Sequence, residues 1–150
     1  MTSVGRIMAL DYGTKRIGVA LSDQLLIIAK PYSVIKAAGG KKDFVTIRSL
    51  IDEHQVQKLL IGLPTGGHGE IGSQASLVLT WSQKLAPFAR VPIVLWDESH
   101  STESASTLLR RNKSKFKQHN DAVAAAFILQ EYLDALAVSH EEPGSLLESF

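Results

Sequence analysis

The apolar positions of this chain change period along its length, and the changes mark the elements. Ile7–Leu10 is a short apolar run that alternates only weakly, which predicts a largely buried first strand over Arg6–Leu10. Over Arg16–Ser22 the alternation is clear. Ile17, Val19 and Leu21 point one way, and Arg16, Gly18, Ala20 and Ser22 the other. The four residues Tyr12–Lys15 between these runs suit a hairpin. Tyr32–Ile35, entered at Pro31, reads as a third strand, so the first third predicts a three-stranded antiparallel meander.

The period then lengthens. After the basic loop Lys36–Asp43, the residues Phe44, Ile47, Leu50, Ile51 and His54 fall at helical spacing, with Asp43 as the expected N-cap. Val56–Leu63 returns to a buried strand, stopped by Pro64. A helix is expected from about Glu70 to Leu85, and a fifth strand over Val91–Trp96. Ser101 or Thr102 can open a further helix carrying Ala105, Leu108 and Leu109 on its inner face. The last helix, Asp121 to about Leu136 with Asn120 as N-cap, sets Ala122, Ala125, Ala126, Leu129, Tyr132, Leu133 and Leu136 on one stripe. Its alanines allow close approach to a sheet. Right-handed crossovers then place the fourth and fifth strands parallel to the first, giving an α/β domain with helices on both faces. That domain is expected over residues 1–138, followed by a loose acidic tail over 139–150 that contains Pro143-Gly144.

Composition narrows the possibilities. A chain of 150 residues fits one domain, and 45% hydrophobic with 21% charged residues is ordinary for a globular protein. The absence of cysteine excludes disulfides, thiolate metal sites and cysteine nucleophiles. No apolar run approaches the ~20 residues that span a bilayer, and Ile7–Leu10 is too short for a signal peptide, so the expected location is cytoplasmic. The formal net charge of +1 is uninformative, but its distribution is not. Arg110, Arg111, Lys113, Lys115 and Lys117 crowd into eight residues without an acid, whereas residues 139–150 have no Lys or Arg. A local basic run in a nearly neutral chain suits a polyanion, or a merely solvated loop.

Three acids occupy comparable positions. Asp11 ends the first strand, Glu98 follows the fifth, and Asp121 opens the last helix. In an α/β sheet, sites lie beyond the carboxyl ends of the parallel strands, where all three can meet. Clustered carboxylates raise one another's pKa, and a divalent cation removes that cost. Two such ions ~4 Å apart suit phosphodiester hydrolysis. Each acid also has a purely structural use. Asp121 is favoured by the helix dipole, Asp11 can cap its own turn, and Asp97-Glu98 can simply end a strand. Thr65-Gly66-Gly67-His68-Gly69 lacks the Lys-Ser or Lys-Thr pair of a Walker A loop. It remains either a phosphate-approaching loop or a connection.

Four blocks carry a family resemblance: ALDYGTKRIGVALSD at Ala9–Asp23, IGLPTGGHGEIGSQA at Ile61–Ala75, WDESHST at Trp96–Thr102 and NDAVAAAFILQEYLD at Asn120–Asp134. In order and spacing they resemble the YqgF family of RuvX-like proteins, described as Holliday-junction-resolvase-like or as pre-16S rRNA nucleases. The resemblance implies an RNase H-like fold with a five-stranded mixed sheet and helices on both sides. It also implies metal-dependent phosphodiester hydrolysis in 5′-end maturation of pre-16S rRNA. Carried over by position, Asp11, Glu98 and Asp121 match the acidic triad, expected to be catalytic and to hold one or two Mg2+ or Mn2+ ions. Lys15 and Arg16 match the basic turn that contacts phosphate, joined here by the 110–117 run as substrate-binding cations. Gly62, Leu63, Pro64, Gly69 and Gln74 match the loop after the fourth strand. Ser99 stands where the family usually has Arg, and Gly66 and His68 where it has an Asn and an acid. The expected partner is an rRNA precursor or, for a resolvase, branched DNA, and the protein a monomer or homodimer. A non-catalytic nucleic-acid-binding factor in transcription or ribosome assembly is the alternative from another class. A nucleotide hydrolase of the actin-like kind is a further one, although it needs a longer, two-lobed chain.

Overall fold

The computed structural model describes residues 5–64, 72–98, 120–139 and 141–150. The chain begins with β1 (Arg6–Tyr12), β2 (Arg16–Ser22) and β3 (Ala29–Lys36), followed by α1 (Lys41–His54) and β4 (Val56–Leu63). Then come α2 (Ser73–Ala89), β5 (Ile93–Asp97), α3 (Asn120–Val138) and β6 (Ser145–Leu146), with a 3-10 turn over Leu147–Ser149. The sheet order is β3-β2-β1-β4-β5-β6. β1, β2 and β3 form the expected antiparallel meander, and β1, β4 and β5 run parallel. The expected mixed α/β architecture holds. The expected count of five strands does not, because Ser145–Leu146 adds a short sixth strand antiparallel to β5.

That strand comes from the segment read as a loose tail. Leu146 pairs with Val94 and Ser145 with Leu95. Gly144 lies so close to Val94 that a Cβ would collide with it. A second tie is polar. Lys58 on β4 donates to Tyr132 Oη of α3 at 2.8 Å and to Glu142 Oε2 at 2.9 Å, and Tyr132 donates to Glu142 Oε1. Burial alone would raise the Glu142 pKa. The bonds from Lys58 and Tyr132 outweigh it and hold the carboxyl below its ordinary value.

Period-two alternation divides the core into two layers. Met8, Leu10, Ile17, Val19, Leu21, Leu59, Ile61, Leu63 and Leu95 face α1 and α2, where Tyr12 stacks on Trp81 with ring centroids 4.4 Å apart. Ile7, Ala9, Ala20, Leu60, Val94 and Trp96 face α3, meeting Ala125, Ile128, Leu129, Tyr132 and Leu133. Small residues on both partners let α3 lie close to β2. None of the described helices is long and apolar enough to cross a membrane.

Several boundaries differ from the sequence expectation, each for a local reason. α1 starts at Lys41 rather than Phe44, and Asp43 is not its N-cap. The buried Asp43 carboxylate instead reaches back to the amides of Ala38 and Gly39, at 2.9 and 2.8 Å. Gly39 and Gly40 make the preceding turn possible with φ of 83° and 67°. α2 starts at Ser73 and passes through Pro87 to Ala89, where Arg48 Nη1 donates to the Ala89 carbonyl at 2.6 Å and satisfies the helix end. β3 extends to Ala29 because an edge strand tolerates Pro31, which sits at an irregularity in the pairing with β2. The predicted helix from Ser101 or Thr102 lies outside the described residues.

Replacing Glu142 by Gln should lower unfolding free energy by about 1 kcal/mol at neutral pH. Because the folded-state pKa is depressed, this stabilisation is fully present above the unfolded value of 4.5 and is lost as pH falls through the folded one. Urea denaturation of both proteins at about pH 7 and about pH 3 reads it: the difference should close at the acid end.

Candidate functional site

The site is built on one row of the sheet, on the face that carries α3. Asp11 on β1 pairs with Gly18 on β2, and Gly18 with Val34 on β3. On the other side, Gly62 lies one residue beyond the Leu10–Ile61 pair and faces Trp96 of β5. Asp11 is thus flanked by two glycines, and each makes room for another acid. A Cβ at Gly18 would overlap the backbone carbonyl of Asp121, so the first turn of α3 can rest on β2 only there. A Cβ at Gly62 would stand 2.6 Å from Glu98 Oε1 and 2.8 Å from Ile128 Cδ1. Gly18 admits the helix end; Gly62 admits the Glu98 carboxylate.

Within this space Asp11 and Glu98 share a side-chain hydrogen bond. Burial pushes the Asp11 carboxyl up from 3.8 to about 8, assisted by the charges of Glu98 and then Asp121. Glu98 is also raised, first by burial and further by the charge of neighbouring Asp97. Two carboxyls in hydrogen-bond contact, each with a raised pKa, make the doubly ionised state of the pair costly. Asp121 is engaged differently: Arg16 Nε donates to its Oδ2 at 2.8 Å. Lys15 and Arg16 are exposed on the turn beside it.

The structure therefore brings Asp11 and Glu98 into contact and sets Asp121 within electrostatic reach of Asp11, tied to Arg16. Among the described residues, no group of three or more histidines or acids is placed closely enough to enclose an ion. The donors nevertheless suit a hard divalent cation: they are carboxylate oxygens only, and their mutual repulsion and burial are what such an ion relieves. Arg110, Arg111, Lys113, Lys115 and Lys117 lie outside the described residues, as do Ser99, Gly66 and His68. Sequence reasoning placed Gly18 and Gly62 in matching blocks without seeing what they do. The available signal was a glycine in a buried strand, which marks a close approach.

Comparison with known proteins follows the same lines. Residues 5–135 match a family model described as RuvX: Holliday junction resolvase. A protein of Thermoanaerobacter pseudethanolicus named "Putative pre-16S rRNA nuclease" is 40% identical over 134 residues, covering 87% of this chain and 96% of its own. One of the same name from Roseiflexus sp. is 41% identical over 134 residues, with 87% and 95% covered. Among solved structures, RuvC of Thermus thermophilus in complex with a Holliday junction substrate superposes with a TM-score of 0.57 at 12% identity, covering 95% of this chain and 99% of that one. The fowlpox virus Holliday junction resolvase gives 0.51 at 12% identity, with 87% and 99% covered. These structural likenesses establish the RNase H-like, resolvase-type fold, as the sequence blocks implied.

Two outcomes follow from this geometry. Because the folded-state pKa of Asp11 is raised, the folded protein binds more protons than the unfolded chain between about pH 4 and 8, and its cation-free stability falls as pH rises through that window. Asp11→Asn should then stabilise the chelator-treated protein at pH 8 by about 1–2 kcal/mol, or about 3–6 °C in melting temperature. A lower melting point for the variant would contradict the assignment.

The glycines should differ in kind. Gly18→Ala meets backbone and should cost about 2–3 kcal/mol. Gly62→Ala meets the ends of two side chains and should cost about 1 kcal/mol, while abolishing any rise in melting temperature with added Mn2+. Thermal melts with and without the ion separate the two.

Proposed function

The chain belongs to the RuvX family, and on that premise we propose that it is a divalent-cation-dependent nuclease that trims the 5′ end of pre-16S rRNA. The observation that carries this reading is the hydrogen-bonded acid pair Asp11–Glu98, placed at the carboxyl ends of parallel strands with the charge of Asp121 bearing on it. Acid pairs with perturbed pKa values cluster at functional sites. The pre-16S rRNA assignment rests on the relatives of 40–41% identity that bear that name along nearly their whole length.

Asp11, Glu98 and Asp121 would hold one or two Mg2+ or Mn2+ ions. Such an ion, when bound, neutralises the crowded carboxylates and the charge that develops on a phosphodiester under attack. The chain's own residues do the rest. Gly18 and Gly62 leave the row open, so that Glu98 and the start of α3 close on Asp11. Arg16 pairs with Asp121 before substrate arrives, and together with Lys15 would offer cations to the backbone phosphates. The cations Arg110, Arg111, Lys113, Lys115 and Lys117 are proposed from the sequence alone as further substrate contacts. Binding through phosphates makes affinity strongly dependent on salt. The reading places the protein in the cytoplasm, where rRNA precursors are.

The family's description favours one rival substrate, a four-way DNA junction. Cutting two strands symmetrically calls for a twofold dimer, whereas trimming one RNA end does not.

A cleavage assay decides between them. A 5′-extended small-subunit rRNA precursor and a labelled four-way junction are incubated with Mn2+, with Mg2+ and with chelator, beside Asp11→Asn. The expected result is cation-dependent cutting of the RNA, reduced at least about 100-fold in the variant. Junction cutting alone would reassign the substrate. Binding without cutting in either metal, unaltered by the substitution, would leave a binding factor in place of an enzyme.

A further inference from the structure

We propose that the groove between the β1–β2 turn and the end of β3 is a second phosphate site for the substrate strand, with Lys36 as its anchoring cation. The proposal rests on the nuclease reading above and extends it from Lys15 and Arg16 to Lys36 on the neighbouring strand. Thr14, Lys15, Arg16, Val34, Lys36 and Ala37 line a groove of about 490 Å3. Three of the six are cations and none is an acid.

The groove neighbours the acid site in the sheet. Its floor residue Val34 pairs with Gly18, which pairs with Asp11, so all three lie in one row of the sheet. Two strand spacings, about 10 Å, separate Val34 from Asp11, a span of a few nucleotides. Two residues further along the strands, Arg16 and Lys36 are direct cross-strand partners. Like charges placed opposite one another on neighbouring strands repel. Arg16 is relieved by Asp121, but Lys36 and Lys15 are exposed and have no carboxylate partner among the described residues. Lys41 and Lys42 open α1 at the same end of the sheet, where a helix dipole disfavours positive charge. An arrangement that costs the free protein at both places is relieved by a bound polyanion. A phosphodiester strand supplies it, and contact through phosphates alone makes the site indifferent to sequence.

The test reads binding apart from cleavage. Fluorescence anisotropy of a labelled single-stranded RNA is followed against KCl concentration in the presence of chelator. Each lost phosphate contact on a single strand reduces the slope of log K against log salt by about 0.7. Lys36→Ala should show that reduction and about 3- to 10-fold weaker binding at low salt, and Lys36→Arg should restore both. Lys30→Ala removes the same charge from the opposite end of β3, where Lys30 pairs with Leu21, and should leave both unchanged. An unaltered slope in Lys36→Ala overturns the groove, as does an equal loss in Lys30→Ala. If the wild-type protein cleaves RNA while either result holds, only the groove is lost. If it neither binds nor cleaves nucleic acid, the nuclease reading fails with it.

Discussion

The rest of this structure depends on a close approach: the first turn of α3 resting on the backbone of β2 at Gly18. No side chain could stand there, since a Cβ would overlap the Asp121 carbonyl. The contact fixes where α3 begins relative to the strand ends, and so fixes where the charge of Asp121 falls. It also explains the composition of the facing surfaces. Ala9 and Ala20 on the sheet and Ala122 and Ala125 on the helix are all buried, and larger residues at these positions would lift the helix from its seat. Packing therefore comes first, and the electrostatics of the site follow from it.

Once the helix is seated, the acids are in conflict. Asp11 is half-buried between two glycines, against the carboxyl of Glu98 and in the field of Asp121. In the structure Asp11 and Glu98 share a hydrogen bond, and the guanidinium of Arg16 sits on Asp121. On the proposed nuclease reading, a divalent cation would replace the first contact and a phosphate backbone would compete for the second.

Much of this was legible in the sequence because the two periodicities are clean where both faces are buried. β2 and β4 occupy Arg16–Ser22 and Val56–Leu63, the limits that the alternation and Pro64 indicate. Legibility falls where tertiary contacts override local signals. Asp43 has the composition of an N-cap but turns back to the 38–39 amides. Pro87 reads as a helix stop, yet Arg48 satisfies the carbonyl beyond it. The sixth strand is two residues long, and no periodicity of that length can be recognised. For the site, the positions of Asp11 and Glu98 at strand ends follow from the pattern. Their hydrogen bond, and the reach of Arg16 across 105 residues to Asp121, depend on register and are not visible in one dimension.

α3 links the two ends of the molecule. Asp121 stands in its first turn and Tyr132 three turns later, about 16 Å along the axis. At the Tyr132 end the helix is held by its buried ring, by the edge-on contact with Trp96 at 5.5 Å and by the Lys58–Glu142 bonds. At the Asp121 end it is held by the seat on Gly18, by buried Ala122 and Ala125 and by one exposed ion pair. An exposed pair contributes little, because solvent screens it and two side chains must be ordered to form it. Packing, not the ion pair, therefore fixes this end of the helix. Arg16 can then exchange its carboxylate for a phosphate without disturbing the packing that places Asp121. The segment that carries Glu142 anchors the Tyr132 end of the same helix that bears Asp121.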